Sequence, residues 1–346
     1  MQIPEHVPWK STGRSLGSGG QGQVHLVRHQ SQPDGPDYAL KILRNTESSQ
    51  ARERFRREIE VVKQLRAPSI IQIFDHSNVE DDFQYYLMEF HEGARTLASI
   101  IFSEDNPYHG DIDRCLDLFE NIIVAIGVCE AASPQIIHRD INPRNILVLP
   151  DDTIRIIDFG VCQFDDGVMI TLIDENVGAR NYTSPECESG SDASIGVHSD
   201  IYSAAKVLWS AITSRQAFAR EEPVFNGRSM SKMFPESPEC WQLVYVFEGT
   251  IRANPTNRCR NSNEVLGLIR EVRHLVKGGF PPVKRIRAHC PSCGRRSVRE
   301  YDKGYLIFGN PNPPGVKSLI CDSCGFVFVR NTDVWEQSIE RLQGLG

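Results

Sequence analysis

Apolar positions in the first ninety residues mostly follow a period of two, interrupted by one helical stretch, and beyond Gly93 they follow a period near four. Residues 14–27, RSLGSGGQGQVHLV, alternate around glycines as a strand, a tight turn and a second strand would. YALKIL at 38–43 and QYYLMEF at 84–90 read as further strands. Between them, ARERFRREIEVVKQLR at 51–66 places Phe55, Ile59, Val62 and Leu65 on one helical face. Beyond Gly93 the apolar runs lengthen and predict helices over 112–132, 199–213 and 262–276, the last opened by a Ser262 or Asn263 cap. A small β-rich lobe therefore precedes a larger helical one. After KGGFPP, a linker by composition, strand-like runs return in SVREY, YLIF, SLI and GFVFV. The tail TDVWEQSIERL sets Trp335, Ile339 and Leu342 on one helical face.

Composition narrows this picture. A chain of 346 residues exceeds one small domain at ~100–200 residues each. The net charge of -7 argues against general affinity for nucleic acid, but an average conceals segments. No run approaches ~18 uninterrupted apolar residues, and MQIPEHVPWK lacks the apolar core of a signal peptide, so the expectation is a cytoplasmic protein with no membrane partner. In that compartment the ten cysteines are expected as thiols or metal ligands. Cys115, Cys129, Cys162, Cys187, Cys240 and Cys259 sit among apolar neighbours and read as small buried side chains. Cys290, Cys293, Cys321 and Cys324 are paired and clustered.

The string LGSGGQGQV carries Gly17, Gly19 and Gly22 in the pattern G-x-G-x-x-G-x-V. Glycines let a backbone approach phosphates and aim N–H groups at them, although such a string alone is more often an ordinary turn. Seventeen residues after Val24 comes Lys41, and seventeen after that Glu58, on the amphipathic helix. A lysine on a half-buried strand needs a partner, and a facing glutamate would hold its ammonium against nucleotide phosphates. In HRDINPRN, residues 138–145, Asp140 can accept a proton while Asn145 and the Asp158 of IIDFG offer oxygens to Mg²⁺. Singly, each reads as a turn-former; their order and spacing argue otherwise.

In that order, LGSGGQGQV, YALK, Glu58, HRDINPRN, DFG, SPE at 184–186, Asp200 and Arg258 make residues 14–276 resemble a eukaryotic-type (Hanks-type) Ser/Thr protein kinase, in a loop style that looks bacterial. The fold implied is α+β and two-lobed, with the kinase domain over 10–277, its N-lobe about 10–92 and its C-lobe about 93–277. The resemblance implies ATP and Mg²⁺ as cofactors and a protein as substrate. Small-molecule phosphotransferases that share the loop chemistry usually lack the SPE, Asp200 and Arg258 bracing. By the same resemblance Leu16, Val24, Ala39 and Leu147 would enclose adenine, and Met88 would be the gatekeeper. Glu89 and Phe90 would begin the hinge that binds adenine through backbone groups. Glu186 would pair with Arg258, and Val62, Ile73, His138 and Phe159 would stack to tie the lobes.

Two positions depart from the Ser/Thr pattern. Asn142 stands where a lysine is general, and Ala179 stands where a threonine would meet that lysine. Arg144 sits where many receptor tyrosine kinases carry an arginine, and its guanidinium could stabilise charge on the transferring phosphate. NYTSPE lacks the proline-rich platform of tyrosine kinases, which keeps Ser/Thr as the expected acceptors. Asn142→Ala is accordingly expected to do much less than Arg144→Ala. Glu175, flanked by Asp174, either engages Arg139 as a fixed carboxylate in place of a phosphate or belongs to a solvated acidic loop.

The two C-x-x-C-G turns enclose 27 residues, and four thiolates so arranged can close a tetrahedral Zn²⁺ site. The segment resembles a zinc ribbon over 289–330, after a linker at 278–288 and before a C-terminal helix at 331–346. Residues 277–330 carry ten Lys or Arg against three Asp or Glu, a balance of +7. Such a patch suits nucleic acid, a protein partner or the acidic remainder of the chain. Tyr301, Tyr305 and Phe308 could stack on bases, but in so small a module they read as core. The reading is an ATP-dependent Ser/Thr protein kinase whose ribbon recruits a partner or regulates it. The rival is a catalytically weak nucleotide-binding scaffold whose ribbon carries the function.

Overall fold

The computed structural model describes residues 3–18, 22–44, 46–159, 163–164, 180–188, 194–218, 230–277, 285–286, 298–301, 316–321 and 327–331. Two compact units divide the chain: Met1–Ile100 with Val124–Ala179, and Ile101–Ile123 with Arg180–Gly346.

In the first unit, β1 (Trp9–Ser18), β2 (Gly22–His29), β3 (Tyr38–Leu43), β4 (Ile73–His76) and β5 (Tyr85–Glu89) form an antiparallel sheet in the order β1-β2-β3-β5-β4. Alternation sends Val27, Leu40, Ile42 and Leu87 into a core shared with Val7. Helix α1 (Ser49–Gln64) opens where the Ser48 hydroxyl accepts from the Ala51 N–H at 3.2 Å, a cap whose loss costs about 1 kcal/mol. The predicted face is the buried one: Phe55, Ile59, Val62 and Leu65 are each at most 7 % exposed. The helix stops at Leu65, whose N–H bonds back to the Val61 and Val62 carbonyls.

The second piece of this unit supplies β7 (Ile136–Ile137), β8 (Ile146–Val148), β9 (Ile154–Ile156) and β10 (Gln163–Phe164), while β6 (Arg95–Thr96) comes from the first. Strands β6-β8-β9 make an antiparallel sheet, and β10 pairs with β7. A parallel bridge joins Ile70 to Ile156, with the Ile156 N–H donating to the Ser69 carbonyl at 2.8 Å and the Ile71 N–H to the Ile156 carbonyl at 3.1 Å. Helix α2 (Leu97–Ile101) is tied to the loop before β8 by the Ala98 N–H on the Pro143 carbonyl at 2.8 Å. The chain passes from one unit to the other within α2, after Ile100, and returns within helix α3 (Ile112–Glu130), after Ile123.

The second unit contains α4 (Val197–Thr213), α5 (Val244–Thr250) and α6 (Ser262–Lys277). Helix α4 is buried on every side, which fits its apolar composition and makes it a central rather than a surface helix. Helix α6 buries Val265, Ile269 and Val272, one stripe at helical spacing. Its cap is neither Ser262 nor Asn263, as expected, but Asn261, whose Oδ1 accepts from the Glu264 N–H at 2.9 Å. Ser262 is already helical and buried, so the preceding side-chain oxygen is the one at the orphan donors.

Strands β11 (Arg285–Ile286), β12 (Val298–Tyr301), β13 (Val316–Cys321) and β14 (Val327–Asn331) form an antiparallel sheet in chain order. The strands expected in SVREY, SLI and GFVFV are present, whereas YLIF, most of the linker and the tail from 332 lie outside the described residues. Among the described residues no helix is long and apolar enough to cross a membrane.

Candidate active site

Strand β3 presents Lys41 opposite Tyr86 of β5, and the predicted helical face carries Glu58 toward it. The Lys41 ammonium donates to both Glu58 oxygens at 2.9 and 2.8 Å and to Asp158 Oδ1 at 3.3 Å. Burial opposes its charge, but the carboxylates of Asp158 and Glu58 outweigh burial and hold the lysine well above its ordinary pKa. The Tyr86 hydroxyl donates to Glu58 Oε1 at 2.8 Å, a contact the sequence reading missed. Its signal was the period-two alternation that sets Tyr86 and Met88 on one face of β5.

The loop between β7 and β8 gathers around Asp140. Asn145 Nδ2 donates to Asp140 Oδ2 at 2.8 Å, and Asn142 Nδ2 donates to Asp140 Oδ1 at 2.7 Å. Asn142 Oδ1 in turn accepts from the Arg144 N–H at 2.9 Å. The Arg144 side chain is exposed, yet its charge reaches Asp140. Burial first, and then the Asp158 carboxylate, push Asp140 up to about 7 against the opposing amides and Arg144. Burial pushes His138 down to about 4, so it is a neutral ring at neutral pH; Nδ1 accepts from the Asp140 N–H and Nε2 donates to the Ile157 carbonyl. Arg139 and Asp158 adopt left-handed backbone angles, φ 66 and 65, a strain of about 1–3 kcal/mol each that clusters where the chemistry is expected.

These residues fit a hard cation by their donor set. Asn145 turns its NH₂ to Asp140, which leaves Oδ1 as a ligand oxygen, and Asp158 offers a carboxylate whose side chain is 34 % exposed.

Of the residues expected around the nucleotide, Leu16 and Gly17 lie on β1, Val24 on β2 opposite both Gly17 and Lys41, Ala39 on β3 opposite Met88, and Leu147 on β8. Gly19 lies outside the described residues. A Cβ at Gly17 would meet nothing within 4 Å, as a ligand-facing position should. A Cβ at Gly22 would sit 2.5 Å from the Ile42 carbonyl oxygen, so this glycine is required by the approach of β2 to β3 whatever it does for phosphate. The Glu89 carboxylate is committed to the Gln72 N–H, Arg155 and His91, at 2.9, 3.2 and 2.7 Å, leaving backbone groups as what a ligand could use there. His138 and Phe159 meet with ring centroids 4.5 Å apart, and Ile73 packs on the cluster of Leu43, Phe55, Ile59 and Tyr86.

In the second unit Arg258 grips Glu186 through both guanidinium nitrogens, at 2.5 and 2.9 Å, and the Ser199 hydroxyl donates to the same carboxylate at 2.7 Å. Burial pushes Glu186 up, but Arg258 and Ser199 outweigh it and hold the carboxyl below its ordinary pKa. Ala179, Asp174 and Glu175 lie outside the described residues, as do Cys162, Cys290, Cys293 and Cys324. Cys321 ends β13, opposite Val298.

The model of the protein kinase domain family matches residues 11–276. The serine/threonine-protein kinase PknB of Mycobacterium tuberculosis is 29% identical over 304 residues, which cover 82% of this chain and 45% of that protein. The serine/threonine-protein kinase PrkC of Bacillus subtilis is 35% identical over 213 residues, 61% of this chain and 31% of that one. The chain thus spans less than half the length of these curated relatives. The crystal structure of the Mycobacterium tuberculosis PknI kinase domain shares the fold, with a TM-score of 0.57 at 21% identity, over 77% of this chain and 96% of that one. The match runs from β1 to the last turn of α6 and takes in the lysine–glutamate–aspartate contact and the Asp140 loop, so the chain belongs to the protein kinase domain family.

Proposed function

We propose that the chain is an ATP- and Mg²⁺-dependent Ser/Thr protein kinase of the cytoplasm with a C-terminal zinc ribbon that binds a partner or regulates it. The observation that carries the reading is the Lys41 ammonium held between Glu58 and Asp158, in the same unit as the doubly hydrogen-bonded Asp140. An ammonium so buried and so paired is a fixed charge for nucleotide phosphates. Leu16, Gly17, Gly19, Gly22, Val24, Ala39, Glu89 and Leu147 are assigned to the nucleotide. Ser/Thr specificity is supported by the names of the relatives and by the NYTSPE segment.

In this reading Asp140 orients the acceptor hydroxyl and takes its proton as the hydroxyl oxygen bonds the γ-phosphorus and the bond to the bridging oxygen of ADP breaks. Lys41 holds the phosphates that stay behind, and Arg144 faces the charge spread over the group in flight. Asn145 and Asp158 would hold Mg²⁺, which when bound neutralises phosphate charge. The ribbon assignment rests on the doubled C-x-x-C-G turns and on the four-stranded antiparallel sheet in which Cys321 ends a strand. The balance of +7 over residues 277–330, linker and ribbon together, suits a nucleic-acid or protein partner.

Purified protein with labelled ATP, Mg²⁺ and a generic protein substrate tests the activity. Wild type is expected to transfer phosphate to serine or threonine, and Asp158→Ala is expected to abolish transfer while metal-free ATP binding persists. Equal transfer by both proteins would assign the activity to a contaminant or another site.

A further inference from the structure

Asn142 occupies the position where the resemblance leads one to expect a lysine, yet it is a buried residue, 3 % exposed. Its NH₂ reaches Asp140 Oδ1 at 2.7 Å and the Asp140 carbonyl at 3.2 Å, while its own oxygen receives the Arg144 N–H at 2.9 Å. The amide cannot be reversed: that would bring its oxygen against the Asp140 carboxylate and its NH₂ against the Arg144 donor. Both ends of the side chain are therefore spoken for, and one of them holds the group assigned as the base. We propose that Asn142 is a positioning residue of the transfer reaction, fixing the Asp140 carboxylate in the orientation that meets the acceptor hydroxyl. This rests on the kinase reading and deepens it.

The physical argument concerns one torsion. A carboxylate turns about its Cβ–Cγ bond in a broad, roughly two-fold well, and one hydrogen bond leaves it free to swing. Asn145 holds Oδ2 at 2.8 Å and Asn142 holds Oδ1 at 2.7 Å, so the plane of the carboxylate is set from both sides. Each oxygen still keeps a second acceptor site for the substrate hydroxyl. A lysine at 142 could pair with Asp140 and also present a charge to phosphate; a neutral amide can do only the first. The contact with the Arg144 N–H anchors the stem of the residue left to supply that charge. The two duties of one lysine are thus divided between two residues of the same turn.

Two substitutions separate positioning from loop shape. Asn142→Ala removes all three hydrogen bonds; Asn142→Asp keeps an acceptor for the Arg144 N–H but sets a carboxylate against Asp140 Oδ1. In place of the small effect the sequence alone led one to expect for Asn142→Ala, both are expected to lower kcat by about 10- to 100-fold with KM for ATP within about twofold, the Asp variant at least as impaired as the Ala variant. If Asn142→Ala melts well below wild type, Asn142→Asp carries the test because it retains the turn contact. Wild-type kcat in Asn142→Asp would reduce the residue to shaping the loop and overturn the proposal alone. Wild-type protein whose transfer is absent, or is unchanged by Asp140→Asn, would overturn the kinase reading and this one with it.

Discussion

Around Asp140 the donors are neutral amides, and the positive charge that offsets its burial comes from Arg144. Amides fix geometry; in the proposed transfer, the guanidinium is the one of these three groups that could answer charge developing on the phosphoryl group. Arg144→Ala is therefore expected to lower kcat by on the order of 10² with a smaller change in KM for ATP, read from initial rates against ATP concentration. Near-normal kcat in that variant would remove the residue from the reaction. The grouping of Lys41 with Glu58 and Asp158, and of Asp140 with Asn145, was legible in the sequence because these residue types fall in a fixed order, and the structure brings each group into hydrogen-bond contact. Asn142 was not. Its sequence position told what was missing, a lysine, whereas its role depends on which way one amide points within a buried turn, a matter of ångströms that no spacing encodes. Gly22 shows the same limit: the motif suggested phosphate, and the Ile42 carbonyl oxygen, 2.5 Å from where a Cβ would sit, adds a packing reason invisible in the string.

Helices were read well where burial is one-sided, as in α1 and α6, because a single apolar stripe leaves a period. Helix α4 was located although it is buried all round, but its environment was not foreseen: Lys206 lies in it with 0% exposure. Its ammonium donates to the Asn181 and Phe218 carbonyls at 2.6 and 3.2 Å and rests near the rings of Tyr202 and Phe218. Arg258 stands over the same Tyr202 ring. Burial, reinforced by the charge of Arg258, pushes Lys206 down to about 7. Between about pH 7 and the ordinary lysine pKa near 10.4 the unfolded chain binds more protons than the folded one, so stability rises with pH across that window and the burden is fully present below it. Lys206→Met is expected to remove this contribution. The wild type is expected to gain on the variant by on the order of a few kcal/mol from pH 7 to 10. Parallel denaturation curves at all pH values would mean that Lys206 is not neutralised on folding.

At the scale of the molecule, composition separated a basic C-terminal segment from the remainder, and the sheet β11-β12-β13-β14 lies within it. If the four cysteines hold zinc, metal analysis of freshly purified protein will give one zinc per chain, lost in Cys321→Ser. That variant is expected to keep the thermal transition of the kinase residues, since matched residues end at 276. No zinc in wild type would refute the site. The division of the chain into units was less legible, because pairing between distant strands leaves no local pattern. Ile70 meets Ile156, and Lys41 meets Asp158, across long stretches of sequence. On the ribosome, at about 5–20 residues per second, the five-stranded sheet emerges seconds before the segment that completes its unit. During that interval the nascent chain displays Ile70 without Ile156 and Lys41 without Asp158, an unpaired surface of the kind that favours aggregation until the second piece of the unit arrives.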